Sequence, residues 1–288
     1  MGHSKLCLVL LLSACALAQQ ANESGEEQTP ACFLATRYKN FKKYEYHYVA
    51  EAQNGVSGTA NLKNGPKITC KVELEVPQTC SFVLRTEGCV LSEVSVMDSE
   101  GLPVYGRAAG SDAFKAAMEK NPLKFMVEKT AEVNLFPEPD EPTNILNVKR
   151  GIISALMVPI SEEDGNVNMP TVHGQCRTAL TVNARRDIAT DVTITRDLTA
   201  CKNFSPMSDY VSPLALISRT NTPLSKLISS SQSCNYQFDN RRKHMTEATC
   251  MEKHIFLPFS NQDEYGITSH VKTDPEFAGI QQDQQQKL

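Results

Sequence analysis

The chain has 288 residues, 41% of them hydrophobic and 22% charged, with a formal net charge of −4. That length and apolar share suffice for a sizeable core. The mild acidity excludes general nucleic-acid binding, which needs a basic surface.

Residues 1–18 begin with Lys5, carry an apolar run from Leu6 to Leu12, and end in Ala16-Leu17-Ala18, a small-x-small cleavage site. Together these features predict a signal peptide and secretion through the endoplasmic reticulum lumen. The run is far short of the ~20 residues that span a bilayer, and no later stretch supplies a transmembrane segment. Losing Lys5 moves the net charge from −4 to −5, and losing Cys7 and Cys15 leaves Cys32, Cys70, Cys80, Cys89, Cys176, Cys201, Cys234 and Cys250. In an oxidising compartment these read as four disulfides, with local pairing favoured by their clustering but not decided by it. A metal site is the weaker alternative, because no CxxC pair occurs.

Residues 19–30, QQANESGEEQTP, are polar and predict a flexible arm. Strand alternation follows: Tyr44, Tyr46 and Tyr48 alternate with Glu45 and His47, and Val72, Leu74 and Val76 with Lys71, Glu73 and Glu75. Asn54-Gly55 and Asn64-Gly65-Pro66 are turn signals that make antiparallel pairing the expectation. Phe82 to Arg85, Val90 to Val96, Glu132 to Phe136, Thr178 to Asn183 and Ala189 to Thr195 add short runs rich in β-branched residues. So many short strands predict a barrel or sandwich.

Two helices interrupt this pattern. Over Ser111 to Lys120, Ser111 is the expected cap, Asp112 suits the N-terminal dipole and Pro122 lies beyond the end. Its Ala113, Phe114, Ala117 and Met118 form one modest apolar face. Residues 143–159, TNILNVKRGIISALMVP, predict a far more apolar helix ended by Pro159. Ile145, Leu146, Val148, Ile152, Ile153, Ala155, Leu156 and Met157 cover an arc of roughly 200°, wider than the ~100° stripe of a surface helix. Asn147, Arg150, Gly151 and Ser154 form the thin polar edge, and the inside of a curled sheet is the simplest home for such a helix. Residues 213–233 are apolar but broken by Pro223, which leaves strand and helix both open. From about His270 the polar, Gln-rich end predicts a disordered tail.

The candidate surface sites are basic. Arg37, Lys39, Lys42 and Lys43 form one cluster, Lys149 and Arg150 a second, and Arg241, Arg242, Lys243 and His244 a third. They suit acidic partners, sulfated glycans or lipid headgroups, against the ordinary alternative of solvated surface charge. For Lys149 and Arg150 the alternative is structural: aliphatic stems along a buried helix, heads paired with Asp140 or Glu141. His244, Cys250 and His254 superficially suggest zinc, but a disulfide is the better use of Cys250. No HExxH is present, and Gly55-Val56-Ser57-Gly58 is not a GxSxG elbow, so no enzyme and no cofactor is expected. Sequons at Asn22 and Asn203 are candidate glycosylation sites.

NILNVKRGIISALMVP at 144–159 resembles the N-terminal module of the large lipid transfer proteins, the family of vitellogenins, apolipoprotein B and the large subunit of the microsomal triglyceride transfer protein. CKVELEVPQTCSFVL at 70–84, DEPTNILNVKRGIISAL at 140–156, SPLALI from 212 and PLSKLISSSQSC ending at 234 are most similar to the apolipoprotein B branch. The resemblance implies an antiparallel β-barrel over 31–270, closed around a central helix with core residues Ile145, Val148, Ile152, Ile153 and Leu156; the polar tail over 271–288 does not resemble the family. It further implies disulfides Cys32–Cys80, Cys70–Cys89, Cys176–Cys201 and Cys234–Cys250. The implied function is lipid transport, with the barrel docking to the microsomal triglyceride transfer protein, a receptor or a lipoprotein surface. Lipid would be cargo, but a barrel filled by its own helix leaves little room for it. The alternative is a secreted protein- or glycan-binding module that carries no lipid.

Overall fold

Alternating apolar and polar side chains carry most of this chain into a single antiparallel sheet. The computed structural model describes residues 32, 37–56, 64–128, 133–158, 164–171, 174–201, 228–241, 243–256 and 267–282. The predicted signal peptide, the arm, the sequons at Asn22 and Asn203, Arg242 and residues 213–227 lie outside that set. The strands are β1 (Lys42–Val56), β2 (Pro66–Gln78), β3 (Ser81–Met97), β4 (Pro103–Arg107), β5 (Leu123–Val127), β6 (Val133–Phe136), β7 (Gly165–Thr171), β8 (Gly174–Arg185), β9 (Ala189–Asp197), β10 (Ile228–Asp239), β11 (Met245–Phe256) and β12 (Ile267–Gln282). The helices are α1 (Ser111–Lys120) and α2 (Thr143–Leu156).

The sheet runs in the order β6-β5-β3-β2-β1-β12-β11-β10-β9-β8-β7, with β4 paired to the far end of β3. Its inner face is apolar: Tyr44, Tyr46 and Tyr48 of β1, Val72, Leu74 and Val76 of β2, Phe82 and Leu84 of β3, and Tyr236 and Phe238 of β10 are all buried in one core. Strand periodicity put these residues on one face, and burial of that face holds the register.

The expected closed barrel is not what forms. Among the described residues, β6 and β7 are each paired on one side only, so the sheet is open at a seam. The chain passes from β6 through α2, which lies against the concave face, to β7 at the other edge. β6 has only four residues before Pro137, and β7 contains Pro170, which has no backbone donor.

Three local expectations change as well. Asn54-Gly55 does not turn: both residues continue β1 against Ser269 and Thr268 of β12. Gly65 is where a glycine is required, since a Cβ there would lie 2.0 Å from the Ala52 carbonyl oxygen. Residues 82–85 and 90–96 belong to one strand, β3, with a register shift at Gly88, whose φ of 62° suits only glycine well. The predicted disordered tail is in fact β12 as far as Gln282, paired with β1 along its length and with β11 between Ile267 and Glu276. Its Gln-rich composition hid the alternation of a strand that lies between two neighbours.

Ser111 does not cap α1. Its buried hydroxyl accepts from the Leu91 backbone N–H at 3.0 Å, which anchors the helix to β3. In α2, Ile145, Lys149, Ile152, Ile153 and Leu156 share the buried stripe at helical spacing, while Val148 is half-buried. Pro142 precedes the helix, and the Met157 N–H closes it on the Ile153 carbonyl at 2.9 Å.

Disulfides join Cys32 to Cys80, Cys70 to Cys89, Cys176 to Cys201 and Cys234 to Cys250, the pairs that the resemblance implies. Cys234 and Cys250 are directly opposed on β10 and β11. Each bridge contributes on the order of 2–4 kcal/mol by restricting the unfolded chain.

Candidate functional site

Between α2 and the sheet lies a cavity of about 210 Å³. Its walls include Val148, Gly151 and Ser154 of the helix, Ile68 of β2, Tyr48 of β1 and Tyr236 of β10. In a flat sheet β2 and β10 would stand roughly 19 Å apart, wider than the ~10–12 Å of a helix, so the sheet curls toward α2. Of the thin polar edge read from the helix, Gly151 and Ser154 face this cavity, while Arg150 donates to Asn147 Oδ1 at 3.1 Å. Burial raises the phenol pKa of Tyr48, and pushes that of Tyr236 up to about 12, so both hydroxyls stay neutral.

One border of the cavity is polar. The Arg196 guanidinium donates to Thr178 Oγ1 at 3.0 Å and to Gln232 Oε1, and Gln232 Nε2 donates to Glu252 Oε1 at 2.6 Å. Glu252 also lies 3.4 Å from His254 Nε2, and His254 Nδ1 is 3.0 Å from Ser230 Oγ. Desolvation lowers the Arg196 pKa. The chain spans β8, β9, β10 and β11, so hydrogen bonds bind neighbouring strands on the concave face. Ser230 Oγ, the His254 ring and the Glu252 carboxylate thus stand in sequence within reach of one another, Ser230 buried and the other two half-buried. Among the described residues, no group of three or more His, Cys, Asp or Glu is placed to hold a metal ion.

The first basic cluster does not form one surface. Arg37 is buried at 1% exposure, with its guanidinium carbon 4.6 Å from the centre of the Phe238 ring and Nη1 donating to the Val158 carbonyl. Desolvation lowers its pKa to about 9. Lys43 is held between Glu73 and Glu75, at 3.5 and 2.8 Å. The hydrogen bond to Glu75 raises its pKa. Lys39 is exposed and Lys42 half-buried. Position along the sequence could not separate these fates, because residues 37 and 38 pack under α2 before the chain turns outward at Phe41.

In the second cluster, Lys149 is buried and its ammonium donates to Glu141 and to the Asn121 carbonyl, both at 2.6 Å. Asp140 instead pairs with Lys120. From the third cluster, Arg241 and Lys243 are exposed in the β10–β11 turn, while His244 is buried against Phe277, with ring centres 4.2 Å apart. Sequence reading missed Arg186 and Ile188, which the β8–β9 turn brings alongside. The Asn240 N–H donates to the Ile188 carbonyl at 2.8 Å, and the Asn240 side chain to that of Arg186.

A curled antiparallel sheet with an apolar helix on its concave face is the architecture of a lipoprotein-type N-terminal domain, and residues 38–285 match the Vitellogenin N-terminal domain model. The chain belongs to that family. It is 47% identical to human Apolipoprotein B-100 over 268 residues, 92% of this chain and 6% of the relative. Against Apolipoprotein B-100 of Rattus norvegicus the identity is 49% over 82% of this chain and 5% of the relative. Apolipophorins of Locusta migratoria are 22% identical over 94% of the chain and 8% of their own length. The chain thus spans a small fraction of the length of these relatives. A solved structure described as lipid–protein interactions in lipovitellin superposes with a TM-score of 0.67 at 18% identity, covering 87% of this chain and 26% of that one. At that identity the likeness shows the fold.

Proposed function

We propose that this chain acts in lipid transport of the apolipoprotein B and vitellogenin type, as a module that docks to the microsomal triglyceride transfer protein and itself carries little lipid. The observation that carries this reading is the filling of the concave face by the chain's own α2. The space left beside the helix is about 210 Å³, below the ~300 Å³ at the small end of ligand pockets. Residues 1–18 direct the chain through the endoplasmic reticulum as a signal peptide, and the domain begins near residue 31. The four disulfides suit that oxidising route. In the described residues no helix is long and apolar enough to cross a membrane.

The test is native mass spectrometry of the chain secreted by cultured cells, before and after organic extraction, together with co-capture of the transfer protein. No stoichiometric lipid and specific co-capture are expected. Lipid retained at a fixed ratio would refute low carriage, and absence of co-capture would refute docking.

A further inference from the structure

Two basic groups that lie about 200 residues apart in sequence meet at one end of the sheet. β1 begins there at Lys42, opposite Gln282 of β12, and Tyr44 opposes Ile280. β10 ends and β11 begins at the same end, as do the end of β8 and the start of β9. From β1 to β9 this rim crosses four strand spacings, about 20 Å. Lys39, Arg186, Arg241 and Lys243 project from it, all exposed, and make no ion pair among the described residues. Asp187 and Asp239 lie in the same turns, and Asp239 accepts from the Arg241 backbone N–H at 2.8 Å.

Large apolar side chains stand among these charges. Phe41 is 48% exposed, Ile188 60% and Ile280 37%. Phe41 has a φ of 59°, a left-handed backbone that an aromatic residue rarely adopts. Its N–H donates to the Val76 carbonyl at 2.7 Å, so the strand pairing holds the ring outward. Exposed apolar groups flanked by cations are the pattern of a surface that lies at the boundary of headgroups and acyl chains. The opposite end of the sheet is the reverse. The β3–β4 hairpin also exposes Val96, Leu102 and Val104, but its charges are Glu93, Asp98, Glu100 and Arg107, the last paired with Asp112, so it is acidic on balance.

We propose that the rim carrying Lys39, Phe41, Arg186, Ile188, Arg241 and Lys243 docks on an anionic phospholipid surface. The cations meet the phosphates, and Phe41 and Ile188 enter the acyl boundary. The acidic hairpin is kept away from the surface, so the orientation is set by charge. The site rests on the lipid-transport reading and names the part of the chain that meets lipid. It needs no interior cavity, so it is compatible with a concave face filled by α2.

The test is flotation of the secreted chain with vesicles of equimolar phosphatidylcholine and phosphatidylserine, compared with phosphatidylcholine alone. Binding to the anionic vesicles that falls with salt is expected. Arg186→Glu with Arg241→Glu and Lys243→Glu should lower partitioning on the order of 100-fold. Phe41→Ser with Ile188→Ser should also weaken it, although every cation is kept. Leu102→Ser with Val104→Ser, at the opposite end, should leave it unchanged. Resistance to protease under non-reducing conditions checks that each variant is folded. Failure of the unaltered chain to float, or equal flotation of the charge-reversed chain, would overturn the proposal. So would binding that ignores Phe41 and Ile188, which would mark attraction to headgroup charge without entry into the acyl boundary. Capture of the transfer protein is measured in parallel, so failure of the unaltered chain to float with capture retained condemns this surface and not the docking reading.

Discussion

Replacing Lys149 by methionine tests whether the helix is locked in place by one buried ion pair. Lys149 is 1% exposed and its partner Glu141 3%, with 2.6 Å between them. The same ammonium holds the Asn121 carbonyl just past the end of α1, so a single side chain ties α1, the loop before α2, and α2 itself. Met fills the volume of the Lys stem but leaves the Glu141 carboxylate buried without its cation. Removing one partner of a buried pair costs about 3–5 kcal/mol. The lost hydrogen bond to Asn121 adds about 1 kcal/mol. For a domain of this size, each kcal/mol is worth roughly 2–4 °C, so a drop in Tm of about 10 °C or more is expected. The assay is thermal and guanidinium unfolding of the oxidised, secreted protein. Lys149→Met combined with Glu141→Leu should recover most of the loss, because no buried charge then remains. A single variant within about 0.5 kcal/mol of the parent would refute the argument, since that is how an exposed pair behaves.

Two further outcomes follow from the core. Ile152→Asp places a charge with no partner at a fully buried point of α2 and should abolish secretion, whereas Ile152→Val, costing about 1 kcal/mol, should not; normal secretion and protease resistance of the Asp variant would contradict the central position of the helix. The buried phenols make the fold sensitive to base. Burial raises the pKa of Tyr38, Tyr46, Tyr48 and Tyr236 above the ordinary 10.0, so the unfolded chain releases these protons first and stability falls as pH climbs through 10. Arg37, lowered to about 9, acts in the opposite sense over the interval up to its ordinary 12.5. With six raised phenols, Tyr44 and Tyr105 included, against the lowered Arg37 and Arg196, tyrosinate absorbance should show these phenols titrating together with unfolding; gradual titration of all eight tyrosines in the folded state would contradict their burial.

The helix was legible because its information is local. Ile145, Ile152, Ile153 and Leu156 recur at helical spacing within fourteen residues, and no longer-range fact is needed to see that the stripe must be covered. The alternation of Tyr44, Tyr46 and Tyr48 is equally local. The strand at Ile267–Gln282 was missed because its pairing with β1 is contributed by residues more than two hundred positions away, while its own composition resembles that of a tail. The basic clusters misled for a related reason. Charge is readable from sequence, but burial depends on what packs above it. Arg37 goes under the helix while Lys39, two residues on, goes into solvent.

By itself the sequence determined the elements that follow from spacing along the chain: the inward faces of strands and helix. Tertiary structure decided three things that depend on neighbours distant in the chain. The sheet stays open at β6 and β7, each of which has a ladder partner on one side only among the described residues. Lys149 becomes a buried latch, because Glu141 and Asn121 converge on it. Arg186 and Ile188 join Arg241 and Lys243 on one rim, because antiparallel pairing brings the turns of successive hairpins to the same end of the sheet.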